Sequence, residues 1–407
     1  MAVTQSRTLR IRDLGYAPGV LSPGALNSIL DVPGVAVSQV TVPTSKNLKG
    51  GSTATKGVTV ILPRGTKDFY TPSHAGKFTF NGNGELTCSG QIADWGFINM
   101  PIAFTNSLSL GTVFDGCWDW VQDQQDRVGM SDYMRSRTYG TPVCGETADW
   151  HVNSETRFSR LDRSDIAKAL SSTKTAEEGG AVLEGQWGGG AGMTCHQFTG
   201  GTGTSSRVVK GNEGSGKEYT VGVLCQTNYG GLVDFHIGGV PIGKILMKER
   251  AGLAASAKLD ETKLAGRTKD GSILVLIITN APLLPHHLER VARHATSGLA
   301  CVGRHGVGRT HSGDIFLAVS TADHPSELLT EGIELGHINP TQTYSVEAVK
   351  NESVDPYFIA TAEATEEAIL NSLVGARNGT VSMNGTKIGG LPVDRVKELL
   401  GQYLVKV

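Results

Sequence analysis

A layered α/β architecture around packed sheets is the fold class that this 407-residue sequence predicts. Three observations carry it. The run Ile273-Leu274-Val275-Leu276-Ile277-Ile278 is uninterrupted, apolar and rich in β-branched residues, and Gly271 and Pro282 bound it, so it reads as a strand buried on both faces. Beyond it, strand patterns alternate with amphipathic helical ones. Glycine, 53 of 407 residues, is about twice its usual share and clusters in short runs, which suits tight turns and close backbone approaches.

Each element follows from local pattern. Residues 8–20 form a short charged segment containing Gly15 and Pro18-Gly19. Residues 25–39 read as a strand with a turn at Pro33-Gly34. Residues 58–62 are a strand stopped by Pro63, and the Asn/Gly-rich stretch 78–85 reads as a hairpin or an active-site loop. Residues 101–106 make another short strand. Helical spacing covers 112–127 and 160–170, the second with Asp162 and Ser164 as caps. Residues 185–203 read as loop, 219–225 as strand, and the charged stretch 249–271 as an exposed linker. A regular pattern then follows: strand 273–279, a helix over 285–295 with Pro285 near its start, a polar loop over 303–313, strand 315–320, and helices over 363–374 and 393–404.

Composition removes several function classes. Hydrophobic content of 39% and charge of 19% are those of a soluble globular protein. The formal net charge is -2, with no basic cluster of the kind nucleic acid demands. No apolar run approaches the roughly 18 residues of a membrane-spanning helix, and the first residues lack the apolar region of an export signal. A cytoplasmic location and no membrane partner are therefore expected. The six cysteines stand singly with no CxxC pair, which argues for reduced core residues over zinc ligands or disulfides. His286, His287 and His294 share one helix without HExxH spacing. The glycine run 185–192 lacks the lysine and hydroxyl of a phosphate loop. G-x-S-x-G, the hydrolase nucleophile elbow, is absent. No metal and no cofactor are expected.

What remains are short polar clusters at strand ends. Ser272 stands at the threshold of the central strand, after a glycine that can bend sharply; a serine there is a nucleophile only if a base and a fixed geometry activate it. Asn228 and Tyr229 end another strand, where an amide N–H can donate to a developing oxyanion. Ser312 and Asp314 flank Gly313 at the mouth of strand 315–320. Glu146 and Thr147 follow the apolar stretch 142–145. Each cluster taken alone also reads as a turn or cap.

Their order along the chain resembles the DmpA/BapA family of self-processing aminopeptidases, peptidase family S58, which includes L-aminopeptidase D-esterase/amidases and β-aminopeptidases. The resemblance runs nearly end to end. It is carried by Arg12-Asp13-Leu14-Gly15, Gly84-Glu85-Leu86-Thr87, Pro101-Ile102-Ala103-Phe104-Thr105-Asn106, Glu184-Gly185 with Gly188-Gly189-Gly190, and Gly200-Gly201-Thr202-Gly203-Thr204-Ser205-Ser206-Arg207. Gln226-Thr227-Asn228-Tyr229-Gly230, Asp270-Gly271-Ser272-Ile273, Asn280-Ala281-Pro282-Leu283-Leu284-Pro285-His286 and Ser312-Gly313-Asp314-Ile315 continue it.

The resemblance implies a four-layer αββα sandwich, layered like the Ntn hydrolases and shared with ornithine acetyltransferases. It implies one domain over 1–407, cut between Gly271 and Ser272 into an α chain of 1–271 and a β chain of 272–407. Ser272 is then the nucleophile, Ser312 and Asp314 a relay around it, Asn228 the oxyanion donor, and Glu146, with Tyr229 nearby, the site of the substrate's N-terminal ammonium. Some relatives carry Glu where Asp314 stands, and a Tyr where Ala148 stands, so Tyr229 or Trp150 is a candidate replacement. The implied substrates are small peptides, amides or esters: L-amino acid amides, D-amino acid esters or amides, or β-amino acid peptides. A homotetramer of αβ protomers is implied as well. The rival reading is an acyltransferase of the ornithine acetyltransferase type working through the same acyl-enzyme, but those enzymes use a threonine nucleophile.

Overall fold

Two β-sheets lie face to face in the computed structural model, which describes residues 9–44, 54–132, 135, 140–153, 160–212, 215–256, 271–322 and 341–405. In chain order come β1 (Ala36–Thr44), β2 (Ala54–Leu62), β3 (Ser73–Gly82), α1 (Ser89–Trp95), β4 (Phe97–Ile98), β5 (Ile102–Asn106), α2 (Leu110–Arg127), β6 (Val143–Thr147) and α3 (Arg163–Ser171). The hairpin of β7 (Thr194–Cys195) and β8 (Phe198–Thr199) follows, then β9 (Gly201–Lys210), β10 (Glu218–Asn228) and α4 (Ile242–Ser256). The remainder is β11 (Ser272–Thr279), α5 (Pro285–Gly303), β12 (Gly313–Ser320), α6 (Asp355–Gly375), the small hairpin β13 (Thr380–Val381) and β14 (Lys387–Ile388), and α7 (Val393–Tyr403).

The first sheet has the order β1-β2-β5-β6 and the second β4-β3-β12-β11-β10-β9. The edge pair β5/β6 of the first sheet and the central pair β11/β12 of the second are parallel, and their neighbours antiparallel. Side chains alternate across a strand, and β11 shows what that alternation organises. Leu274, Leu276 and Ile278 enter the core between the sheets with Ile61, Ile102 and Phe104. Ile273, Val275 and Ile277 face the opposite way, into the core beneath α5 and α6. A third core joins the outer face of the first sheet to α2 and α3. The result is the expected αββα stack, and all eight residues of β11 are buried. Among the described residues no helix is long and apolar enough to cross a membrane.

Five expectations need correction. Residues 25–35, read as part of a strand, form none: a single 3-10 turn stands at Ile29–Asp31, and β1 begins at Ala36. The strand β3 runs on through Phe78 to Gly82, because residues 74–82 pair with β12 despite their Asn/Gly content. Residues 249–256, expected as linker, continue α4; the rest of that stretch up to 270 lies outside the described residues. The glycine-rich stretch contains the β7–β8 hairpin and the start of β9. Helix α6 begins at Asp355 rather than 363. Its charged residues are not a solvated face: Glu363 and Glu367 pair with the fully buried Arg207 at 3.0 and 2.8 Å, and Arg12 also reaches Glu367, at 2.6 Å. The cysteines are free, and all but Cys301 are buried.

Candidate active site

The site forms where β10, β11, β12 and β3 meet at one edge of the second sheet. Antiparallel register sets Asn228 opposite Ser272, parallel register sets Asp314 opposite Ile273, and Gly313 pairs with Gly82. Ser272, Asn228, Ser312 and Asp314 are all buried. A buried polar group needs a partner, and each finds one in the surrounding backbone or a neighbouring side chain.

Ser272 Oγ accepts the Gly313 N–H at 3.1 Å. The carbonyl of the preceding residue, Gly271, accepts a close hydrogen bond from Ser312 Oγ. Ser312 Oγ also lies 2.6 Å from Asp314 Oδ1. The other Asp314 oxygen accepts the Gly308 N–H at 3.1 Å. Burial raises the Asp314 carboxyl to about 6, although Ser312 and the backbone N–H groups of Gly308 and Ile273 pull it down. Gly271 has no room for a side chain: a Cβ there would stand 1.9 Å from the Asn228 carbonyl oxygen and 2.6 Å from Tyr229 Cα. The peptide bond before Ser272 is thus wedged between the 228–229 backbone and Ser312.

The Asn228 carboxamide is fixed at both ends. Its oxygen accepts the Thr194 N–H at 3.1 Å, and its nitrogen donates to the Ala148 carbonyl at 2.5 Å. That donor geometry assigns the amide orientation.

Glu146 comes from β6 of the first sheet. Its carboxylate accepts from Ser107 Oγ and from the Glu85 N–H, the latter at 3.1 Å. Burial raises the Glu146 carboxyl above its ordinary value. A Cβ on Gly84 would meet Glu146 Oε1 at 3.5 Å and Gly313 Cα at 3.4 Å, so a single glycine separates this carboxylate from the backbone that touches Ser272. A half-buried carboxylate with no ion pair among the described residues is an acceptor for an ammonium group.

Tyr229 lies in the core on the helix side, edge-on to His196 at 4.9 Å. Its hydroxyl is buried and has no partner among the described residues, and burial holds the phenol well above its usual range. With Gly271, Gly308 and Ser312 it lines a crevice that leaves no room for a water-sized molecule. Ala148 supplies its carbonyl to Asn228, and Trp150 is exposed. Sequence reasoning missed the hydroxyl of Ser107, the N–H of Gly308 and the hairpin that carries Thr194 and His196. Each acts through a fold-dependent contact, and none belongs to a recognisable spacing.

The chain is similar to known proteins along nearly its whole length. The model of peptidase family S58 matches residues 27–387. A β-peptidyl aminopeptidase BapA of Sphingosinicella microcystinivorans is 37% identical over 400 residues, covering 97% of this chain and 92% of the relative. A solved β-aminopeptidase of Burkholderia sp. superposes with a TM-score of 0.79 at 35% identity, covering 98% of this chain and 100% of that one. The L-aminopeptidase D-Ala-esterase/amidase of Ochrobactrum anthropi, described as a variant of the Ntn hydrolase fold, superposes with a TM-score of 0.79 at 32% identity, covering 97% and 98%.

Proposed function

The chain belongs to peptidase family S58 and is a serine-type aminopeptidase, and on that premise we propose that it cuts itself between Gly271 and Ser272 and then works through the new N-terminal serine. The observation that carries the reading is the wedged Gly271–Ser272 bond, its carbonyl held by a hydroxyl that also lies against Asp314.

In the uncut chain Ser272 Oγ attacks the Gly271 carbonyl carbon. Negative charge grows on the carbonyl oxygen, where the Ser312 hydroxyl already donates. The peptide nitrogen takes the proton that Oγ gives up and leaves as an amine, so the acyl group has passed from nitrogen to Oγ. Water hydrolyses the ester, freeing the Gly271 carboxylate, the Ser272 hydroxyl and its α-amine. That amine, with an ordinary pKa of about 7.7–8.0, then accepts the Oγ proton when substrate is attacked.

Departure of Gly271 opens the space in front of Ser272. The substrate's ammonium sits against Glu146, the scissile carbonyl oxygen receives a hydrogen bond from Asn228 Nδ2, and an acyl-enzyme forms on Ser272 and is hydrolysed. Glu146 explains release of the terminal residue alone: a blocked amine would leave the half-buried carboxylate uncompensated. The substrates are small peptides, amides or esters with a free terminal amine. β-Amino acid peptides are the first class to assay, since the similar proteins include β-aminopeptidases; L-amino acid amides and D-amino acid esters or amides follow.

The test is a comparison of free and N-acetylated substrates on the purified enzyme and on Glu146→Gln. Free-amine substrates should be cleaved and acetylated ones not, with KM for the free amine rising about 100-fold in E146Q, the worth of a charge-assisted contact of about 3 kcal/mol. Equal cleavage of acetylated and free substrates would refute the reading.

A further inference from the structure

We propose that His196, at the turn of the β7–β8 hairpin, is a positioning residue that holds the Asn228 carboxamide in place opposite Ser272. The inference rests on the proposed oxyanion role of Asn228 and extends it to a residue that touches neither substrate nor nucleophile.

The hairpin is strained where strain is easily avoided. Its two turn residues, His196 and Gln197, have φ of +48° and +69°. Two-residue turns of this hand are ordinarily filled by Asn-Gly or Gly-Gly, because side chains with a Cβ resist the left-handed region. A histidine kept in such a position points to a use for its ring.

The ring is enclosed and well engaged. His196 is fully buried, stacked on Phe235 at 5.0 Å and edge-on to Tyr229 at 4.9 Å. Its Nδ1 lies 3.0 Å from the Gly231 carbonyl oxygen. A carbonyl only accepts, so Nδ1 carries the proton. The other ring nitrogen is buried with no partner among the described residues, which fits a neutral imidazole and gives it no route to exchange protons with the site.

These contacts converge on the segment that follows β10. The backbone N–H of His196 donates to the Tyr229 carbonyl at 2.8 Å. Its ring donates to Gly231, and the Thr194 N–H two residues earlier donates to Asn228 Oδ1 at 3.1 Å. Gly230 must be glycine for the ring to fit: it has φ of +87°, and a Cβ there would lie 2.4 Å from His196 Cε1. The hairpin therefore grips residues 228, 229 and 231 together. By donating to Oδ1 it turns Nδ2 toward the Ala148 carbonyl. Loss of the ring–Gly231 bond frees the segment that begins at Asn228, and small misplacements of a preorganised donor cost rate more than binding.

The experiment uses the mature enzyme with activity counted per active site, titrated by the burst from an activated amino acid ester. His196→Phe keeps the ring volume and removes the donor; His196→Asn keeps a donor and tolerates the left-handed turn. The expected result is a fall in kcat of about 10- to 100-fold for H196F with KM within about threefold, and recovery to within about fivefold of wild type for H196N. The Ki of an amino aldehyde, which forms a tetrahedral oxyanion on the serine, should rise in step with the loss in kcat. If H196F yields no mature enzyme, His196→Gly, which suits the turn and lacks the donor, takes its place beside H196N with the same expectations. Unchanged kcat and Ki per active site in the donor-less variant would overturn the proposal. Asn228→Ala run in parallel separates the two claims: an unaffected N228A removes the oxyanion reading itself, whereas an impaired N228A beside an unaffected His196 variant removes only the positioning role.

Discussion

Replacing Ser312 by alanine should slow self-cleavage by about 100- to 1,000-fold without unfolding the chain. Ser312 is buried, and its hydroxyl is the donor on the Gly271 carbonyl, whose oxygen gathers negative charge when Ser272 attacks. Removing one preorganised donor of this kind costs about 2.7–4 kcal/mol of transition-state stabilisation, which is the quoted range in rate. The fold loses little by comparison: one oxygen leaves, Asp314 keeps its bond from Gly308 at 3.1 Å, and the loss is about the 1 kcal/mol of a typical hydrogen bond. The assay is a time course of intact mass after a pulse of synthesis, with a denaturant melt as control for folding. A cut rate in S312A equal to wild type would refute the assignment of Ser312 as the donor to the scissile carbonyl. Complete loss of folded protein would instead show that Ser312 is a structural residue.

Two further expectations concern charge. The Asp314 carboxyl is raised to about 6 from an ordinary 3.8, so the folded state favours its neutral form. Its contribution to stability is whole below about pH 3.8 and is lost as pH rises through about 6, a difference of about 3 kcal/mol. Asp314→Asn should therefore melt higher than wild type at pH 8 and lose that advantage at pH 4, while hydrolysing substrate poorly at both; an equal melting difference at the two pH values would contradict the buried-acid account. Lys56 and Asp149 form an ion pair with no exposure on either side chain. Lys56→Met leaves the Asp149 charge buried and should lower stability by about 3–5 kcal/mol in urea unfolding; a loss under 1 kcal/mol would contradict an uncompensated buried charge at Asp149.

Much of this arrangement was legible because it depends on local pattern. The strand β11 is apolar on both faces because both of its faces are buried, and a continuous apolar run states that directly. Ser272, Ser312, Asp314 and Asn228 could be singled out because polar residues at strand ends are where chemistry is presented. Other elements depend on partners distant in sequence. The first turns of α6 were missed because the helix is buried on nearly every side and shows no amphipathic period, while its glutamates answer to Arg207 and Arg12 far along the chain. The end of β3 looks like a loop until Asn81 and Gly82 are paired with Asp314 and Gly313. The β7–β8 hairpin is hidden because His-Gln occupies turn positions where Asn-Gly is the usual signal. Tyr229 was expected at the substrate, yet its ring belongs to the core beneath the site.

The most direct measurement is the intact mass of the purified protein beside Ser272→Ala. The account predicts two fragments in the wild type, matching 1–271 and 272–407, and a single uncut chain in S272A. A wild-type protein that remains uncut while hydrolysing amino acid amides would contradict self-processing as the source of the active serine, and so would fragments that persist in S272A.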